Sequence, residues 1–246
     1  MERKILLFIV LPLFFLYSCT PAYVKRLERI ETLLDNLEKE IKITKTSPEL
    51  AVIHTNINAF SMEIKKISSL DYSENGKYAE NSSRLSDIIS KIESIHNEFK
   101  KIESENLDNE LKETFLDVSK KVISFAEKLK DRDLAISKGE TAYKNAETSM
   151  IAANAALKDG RQEDAEKKLK EGKASLNIGN NEFIKAAELN NSLLNQREDL
   201  IQNYQRLSSL VKDKMGLELF EISDFKFLEK DKKRLDRTVN NLRKRG

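Results

Sequence analysis

Apolar residues recur at alternating spacings of four and three along most of the chain, the rhythm of helices that bury one face. The first run is Tyr23, Leu27, Ile30, Leu34, Leu37 and Ile41, an unbroken heptad seam on an otherwise charged cylinder. It stops near residues 44–48, where Ser47 and Pro48 suit the cap and first turn of a second helix. That helix carries Leu50, Ile53, Ile57, Phe60, Ile64 and Ile67. Residues 71–77 hold an Asn-Gly pair and no apolar periodicity, so they predict a turn. A third helix follows with Leu85, Ile88, Ile92, Ile95, Phe99 and Ile102 on one stripe.

After a polar patch at 103–109, the rhythm resumes with Leu111, Phe115, Val118, Val122, Phe125 and Leu129. It either continues past Gly139 through Ala142, Ala146, Met150, Ala153 and Leu157, or breaks within 131–139. From 150 to 173 small residues replace large ones, and Asp159-Gly160-Arg161 reads as the turn between two helices. This piece resembles one tetratricopeptide repeat: Ala153, Ala165 and Gly172 sit at its small positions, Gly160 at its turn and Leu169 at its bulky site. Ser149, Ala156 and Asn177 stand where that family has Trp, Tyr and Pro, and no second copy follows at the family's spacing. Solenoids need at least three stacked repeats, so an ordinary hairpin with an Ala-rich contact is the expectation. The next helix spans about 162–212, with Leu176, Phe183, Ala187, Leu194, Ile201 and Tyr204 near one side. An apolar cluster (Leu217, Leu219, Phe220, Ile222) is expected to tuck into the bundle. A last helix is expected from Ser223 or Asp224, with Phe225, Leu228, Leu235, Val239 and Leu242 as its core positions.

Composition narrows this to one class. No proline follows Pro48 and only 7 glycines occur, too little turn chemistry for a β-rich chain of 246 residues. The expected fold is all-α: an elongated antiparallel helical bundle of five to seven helices, some of them long. Charged residues make up 34% of the chain yet the formal net charge is only +2, which argues against nucleic acid as a partner.

The N-terminus departs from the pattern. Arg3 and Lys4 precede an apolar run from Ile5 to Tyr17, followed by Ser18 and Cys19, the 1 cysteine in the sequence. A run of this length reaches roughly 20 Å as helix, short of the hydrocarbon core of about 30 Å, and therefore reads as a signal segment. Leu16-Tyr17-Ser18-Cys19 resembles the lipobox of bacterial lipoprotein precursors, although Tyr17 stands where a small or β-branched residue is usual. The resemblance implies removal of residues 1–18, a diacylglyceryl group on Cys19 and palmitate-like acylation of the new amino terminus. Residues 19–22 then form a lipid-anchored tether and 23–246 the helical domain, with the polar patch near 103–109 as its candidate sub-boundary. Thr20, where an Asp would imply inner-membrane retention in such proteins, favours the outer membrane.

Chemistry is sparse. His54 and His96 are the 2 imidazoles, and neither lies in a metal-binding motif. No nucleophile elbow, phosphate-binding loop or dinucleotide fingerprint is present. The expectation is a protein with no enzymatic activity, metal or cofactor. One local signal remains: residues 226–246 contain 9 Lys or Arg and 3 Asp or Glu. Lys232, Lys233, Arg234, Arg237, Arg243, Lys244 and Arg245 are the candidates for contact with an anionic partner, or else they complement a helix C-terminus. The functional expectation is a membrane-anchored envelope lipoprotein with a structural or adaptor role toward envelope proteins or cell wall. The alternative is a surface-displayed lipoprotein that binds host or environmental ligands. The seam at 23–41 is short for an independent coiled coil, which favours internal packing and a monomer.

Overall fold

A computed structural model describes residues 48–72, 77–103 and 107–243, together with 30, 31, 33–35, 37 and 38. The chain divides into two units, Met1–Thr55 and Asn56–Gly246. In the first unit the described members of the heptad seam, Ile30, Leu34 and Leu37, are helical and exposed. Tyr23, Leu27, Ile41 and Cys19 lie outside the described residues.

Among the described residues every regular element is a helix: α1 (Pro48–Ser68), α2 (Lys77–Lys101), α3 (Asn109–Lys158), α4 (Gln162–Met215) and α5 (Phe227–Arg243). The molecule is an all-α bundle. α1 crosses from the first unit into the second, and α2 to α5 belong to the second. Its frame is the α3–α4 hairpin, in which α3 runs unbroken for 50 residues, or about 75 Å. No break occurs at 131–139. Asp108 caps the start of α3 by accepting the Leu111 N–H at 3.1 Å. At its end Gly160, with φ +75°, closes a Schellman motif: Arg161 N–H donates to Ala156 O at 2.9 Å and Gly160 N–H to Leu157 O at 3.1 Å. The Asp-Gly turn is thus the one the sequence predicts.

α2 lies antiparallel to α3, with the Phe99 and Phe115 rings stacked at 3.8 Å and Phe60 of α1 tilted on Phe115 at 4.8 Å. All three rings are buried. Beyond Gly216 (φ +68°), which ends α4, residues 217–226 cross the bundle in irregular backbone. Of the cluster expected to tuck in, Leu217, Leu219 and Phe220 are buried and Ile222 is half-buried, and Phe225, expected on the last helix, is buried in this segment too. A ring of three hydrogen bonds ties the segment down. Phe220 N–H donates to Ser61 Oγ at 2.8 Å, Ser61 bonds Tyr204 Oη at 2.9 Å, and Tyr204 O–H donates to Phe220 O at 2.8 Å. Burial pushes the Tyr204 hydroxyl up to about 12, so it remains a donor.

Two expectations are corrected. α5 begins at Phe227, not at Ser223 or Asp224, because Phe225 has φ +52° and a left-handed residue cannot continue a right-handed helix. On α4, Leu193 and Leu200 are buried where Leu194 and Ile201 were the expected core positions, and these two are half-buried. The buried stripe runs Phe183, Ala187, Asn190, Leu193, Leu200, Tyr204, and it passes through a polar residue.

Candidate functional site

The polar residue on that stripe belongs to a cluster where loop, α2, α3, α4 and α5 meet. Arg132 of α3 is fully buried, with 0% of its side chain exposed. Its Nε and Nη2 donate to Asp133 Oδ1 at 2.9 and 2.6 Å, and Nη1 donates to Asn190 Oδ1 at 3.0 Å. Nη1 also lies 3.2 Å from Asp231 Oδ2 on α5. The guanidinium faces the rings of Tyr72 at 4.9 Å and Phe227 at 5.4 Å, a cation–π arrangement that arginine's flat, weakly hydrated head suits. Each carboxylate also accepts from a phenol: Tyr72 O–H donates to Asp133 Oδ2 at 2.8 Å and Tyr78 O–H to Asp231 Oδ1 at 2.9 Å. Asn190 Nδ2 donates to Leu228 O at 3.0 Å. The cluster is a clasp that fastens α5 and the 69–72 segment to the hairpin.

Burial dominates its electrostatics. It pushes the Asp133 carboxyl up to about 6 against the opposing pull of Arg132 and the Tyr72 hydrogen bond. Burial likewise holds the Tyr72 and Tyr78 phenols above their ordinary value. A carboxyl whose folded pKa lies above the unfolded value of about 3.9 contributes stability that is fully present below pH ~4 and lost as pH rises through about 6. In urea unfolding, the stability of wild type minus that of Asp133→Asn is therefore expected to decline between pH 4 and 6. A flat difference would mean that Asp133 is not burial-shifted.

Past the clasp, the hairpin narrows to helices of small residues in close approach. A Cβ on Gly139 would come within 2.9 Å of the Phe183 ring, and one on Gly179 would overlap the Tyr143 ring. Ala142, Ala146, Ala153, Ala156 and Ala165 are buried along the same contact. Two helices alone bury only one seam each. Met150, Leu157 and Leu176, expected as core positions, are instead 40%, 59% and 37% exposed, because no third helix among the described residues covers them. Ile151 and Ile178 are likewise exposed, at 65% and 56%. Tyr143, Ala146, Met150, Ile151 and Leu176, with Glu147 and Asn154, line an open, mostly apolar groove of about 460 Å³. This arm is the candidate interaction site. Its small-residue pattern was legible from the sequence; the clasp was not.

The basic stretch is divided by the fold. Arg234 turns inward, donating to Glu140 Oε1 at 2.8 Å and reaching the Tyr78 hydroxyl at 3.4 Å. Lys232 bonds Asn191 at 3.1 Å and pairs with Asp236. Lys233 and Arg237 are exposed on the outer face of α5. Lys244, Arg245 and the side chain of Arg243 lie outside the description. His54 is buried in α1, and His96 Nδ1 is 2.7 Å from Ser119 Oγ, its pKa lowered by burial and by Lys100 and Lys120. Among the described residues no group of His, Cys, Asp and Glu could hold a metal ion, and no helix is long and apolar enough to cross a membrane. Compared with known proteins, the chain matches no family model, no curated protein and no solved structure.

Proposed function

We propose that the protein is an envelope lipoprotein, held to a membrane by lipid on Cys19, whose helical body serves as a structural or adaptor element for other envelope components. The observation that carries the adaptor reading is the arm: a two-helix extension whose surface carries Met150, Ile151, Leu157 and Leu176 instead of hiding them. Apolar side chains grouped on a soluble surface mark a place where another molecule docks. The partners are envelope proteins or cell wall, with Lys233 and Arg237 available to anionic groups on a different face. The anchor reading draws on the sequence around Cys19. Two or more acyl chains, at about 0.8 kcal/mol per buried methylene, make such an attachment effectively permanent.

The test is fractionation and protease accessibility in the native cells, with a permeabilised control and a Cys19→Ala variant. Wild type is expected in the membrane fraction and the variant in the soluble fraction. Retention of Cys19→Ala on the membrane would refute the lipid anchor. Degradation only after permeabilisation places the body in the periplasm, facing an adaptor's partners; degradation in intact cells turns the reading to surface display.

A further inference from the structure

The apolar groove of the arm is the continuation of a groove that one helix of this chain already fills. α5 lies along the hairpin, parallel to α3, with Leu235 and Val239 packed in one cluster with Ile136, Phe183 and Ala187. Tyr143 borders that cluster and also lines the open groove. On α3 the two stretches are one seam: Ile136 and Glu140 under α5, then Tyr143, Glu147, Met150 and Asn154, at spacings of 4, 3, 4, 3 and 4. On α4, Leu176 of the open part lies two turns from Phe183 of the filled part.

The filled part also shows what polar contact the groove accepts. Glu140 on its edge takes a charge-assisted hydrogen bond from Arg234 at 2.8 Å. One heptad further on, about 10 Å along the axis, stands Glu147, exposed and the single charged residue among those lining the open groove. Seam and acid thus repeat the α5 site one step toward the hairpin tip.

We infer that the open groove is the docking site for an amphipathic helix of a partner protein, built like α5: apolar residues at heptad spacing and a Lys or Arg placed to meet Glu147. Helix-in-groove recognition needs such anchors at i, i+3 or i+4 and i+7. The inference deepens the adaptor reading and is independent of the lipid on Cys19, so failure of one leaves the other standing.

The experiment uses the full-length protein in detergent and a fluorescein-labelled synthetic peptide with the α5 sequence, residues 227–243, read by anisotropy with detergent alone as blank. Saturable binding is expected. Met150→Asp is expected to weaken it about tenfold, the loss of one buried apolar anchor. Glu147→Lys is expected to weaken it about fivefold, the upper range of an exposed ion pair. A peptide carrying Arg234→Glu is expected to prefer the Glu147→Lys protein over wild type. That reversal fixes the register at Glu147 and excludes exchange with the resident α5 at Glu140. Binding that ignores both substitutions, or no binding at all, overturns the inference. So does a protein dimer that Met150→Asp dissociates, since the groove's occupant is then a second copy of the chain.

Discussion

Replacing Arg132 with methionine is expected to lower the stability of the folded chain by about 3–5 kcal/mol, the cost of leaving buried carboxylates without their cation. Asp133 and Asp231 meet in the interior only because the Arg132 guanidinium stands between them, at 2.6 Å and 3.2 Å. Without it, two like charges share a dry site and must take up protons or pull water in. The melting temperature is expected to fall by roughly 6–20 °C at the usual 2–4 °C per kcal/mol for a domain of this size. Adding Asp133→Asn and Asp231→Asn to Arg132→Met is expected to recover a large part of the loss, because a site without charges no longer needs a counter-ion. Thermal and urea unfolding of the three proteins decides the matter. An Arg132→Met protein as stable as wild type would show that the clasp contributes nothing.

The second large effect lies at the other end of the bundle. Phe115→Ala removes a ring that stacks on Phe99 at 3.8 Å and leans on Phe60 at 4.8 Å, at the junction of α1, α2 and α3. Truncation of a fully buried Phe costs about 3–5 kcal/mol, as lost transfer energy and an unfilled cavity. Because 3.8 Å stacking fixes α2 on α3 through this pair, the hydrogen exchange of α2 is expected to rise more than that of the hairpin tip. Uniform acceleration across the chain would instead mark a purely global loss. Phe115→Leu, which keeps most of the volume, is expected to recover over half of the stability.

Much of this architecture could be read from residue spacing, and the exceptions share one cause. Helices α1 to α4, the Asp159-Gly160 turn and the buried 217–220 cluster follow from periodicity and turn chemistry, which are local properties. The stripe on α4 was misplaced by one residue at Leu193 and Leu200 because Asn190 interrupts the apolar rhythm there. Periodicity assigns polar residues to solvent, and Asn190 is buried by what Arg132 needs from it, on another helix. Asp131-Arg132-Asp133 looks like a charged surface stretch or a helix break for the same reason: its partners Tyr72 and Asp231 are remote in sequence. The start of α5 was missed because a positive φ at a phenylalanine has no signature in composition. At the arm the reverse error occurs. Met150, Leu157 and Leu176 obey the helical rhythm, but obeying it does not supply a neighbouring helix to bury them.

The clasp and the Ser61–Tyr204–Phe220 ring also set an order of assembly. Tyr78 and Asp231 are 153 residues apart, and Ser61 and Phe220 are 159. A chain emerging from its N-terminus presents α1 and α2 long before the residues that secure them exist outside the machinery that releases it. Closing a loop of that length costs about 4 kcal/mol plus a constant, (3/2)RT ln n for n near 150, and nothing is regained until the final segment arrives. The α3–α4 hairpin, whose partners are near neighbours across one tight turn, can form first. Completion of the body is therefore a late event governed by the C-terminal residues, and a chain halted before residue 220 leaves Ser61 of α1 without the Phe220 N–H that it accepts.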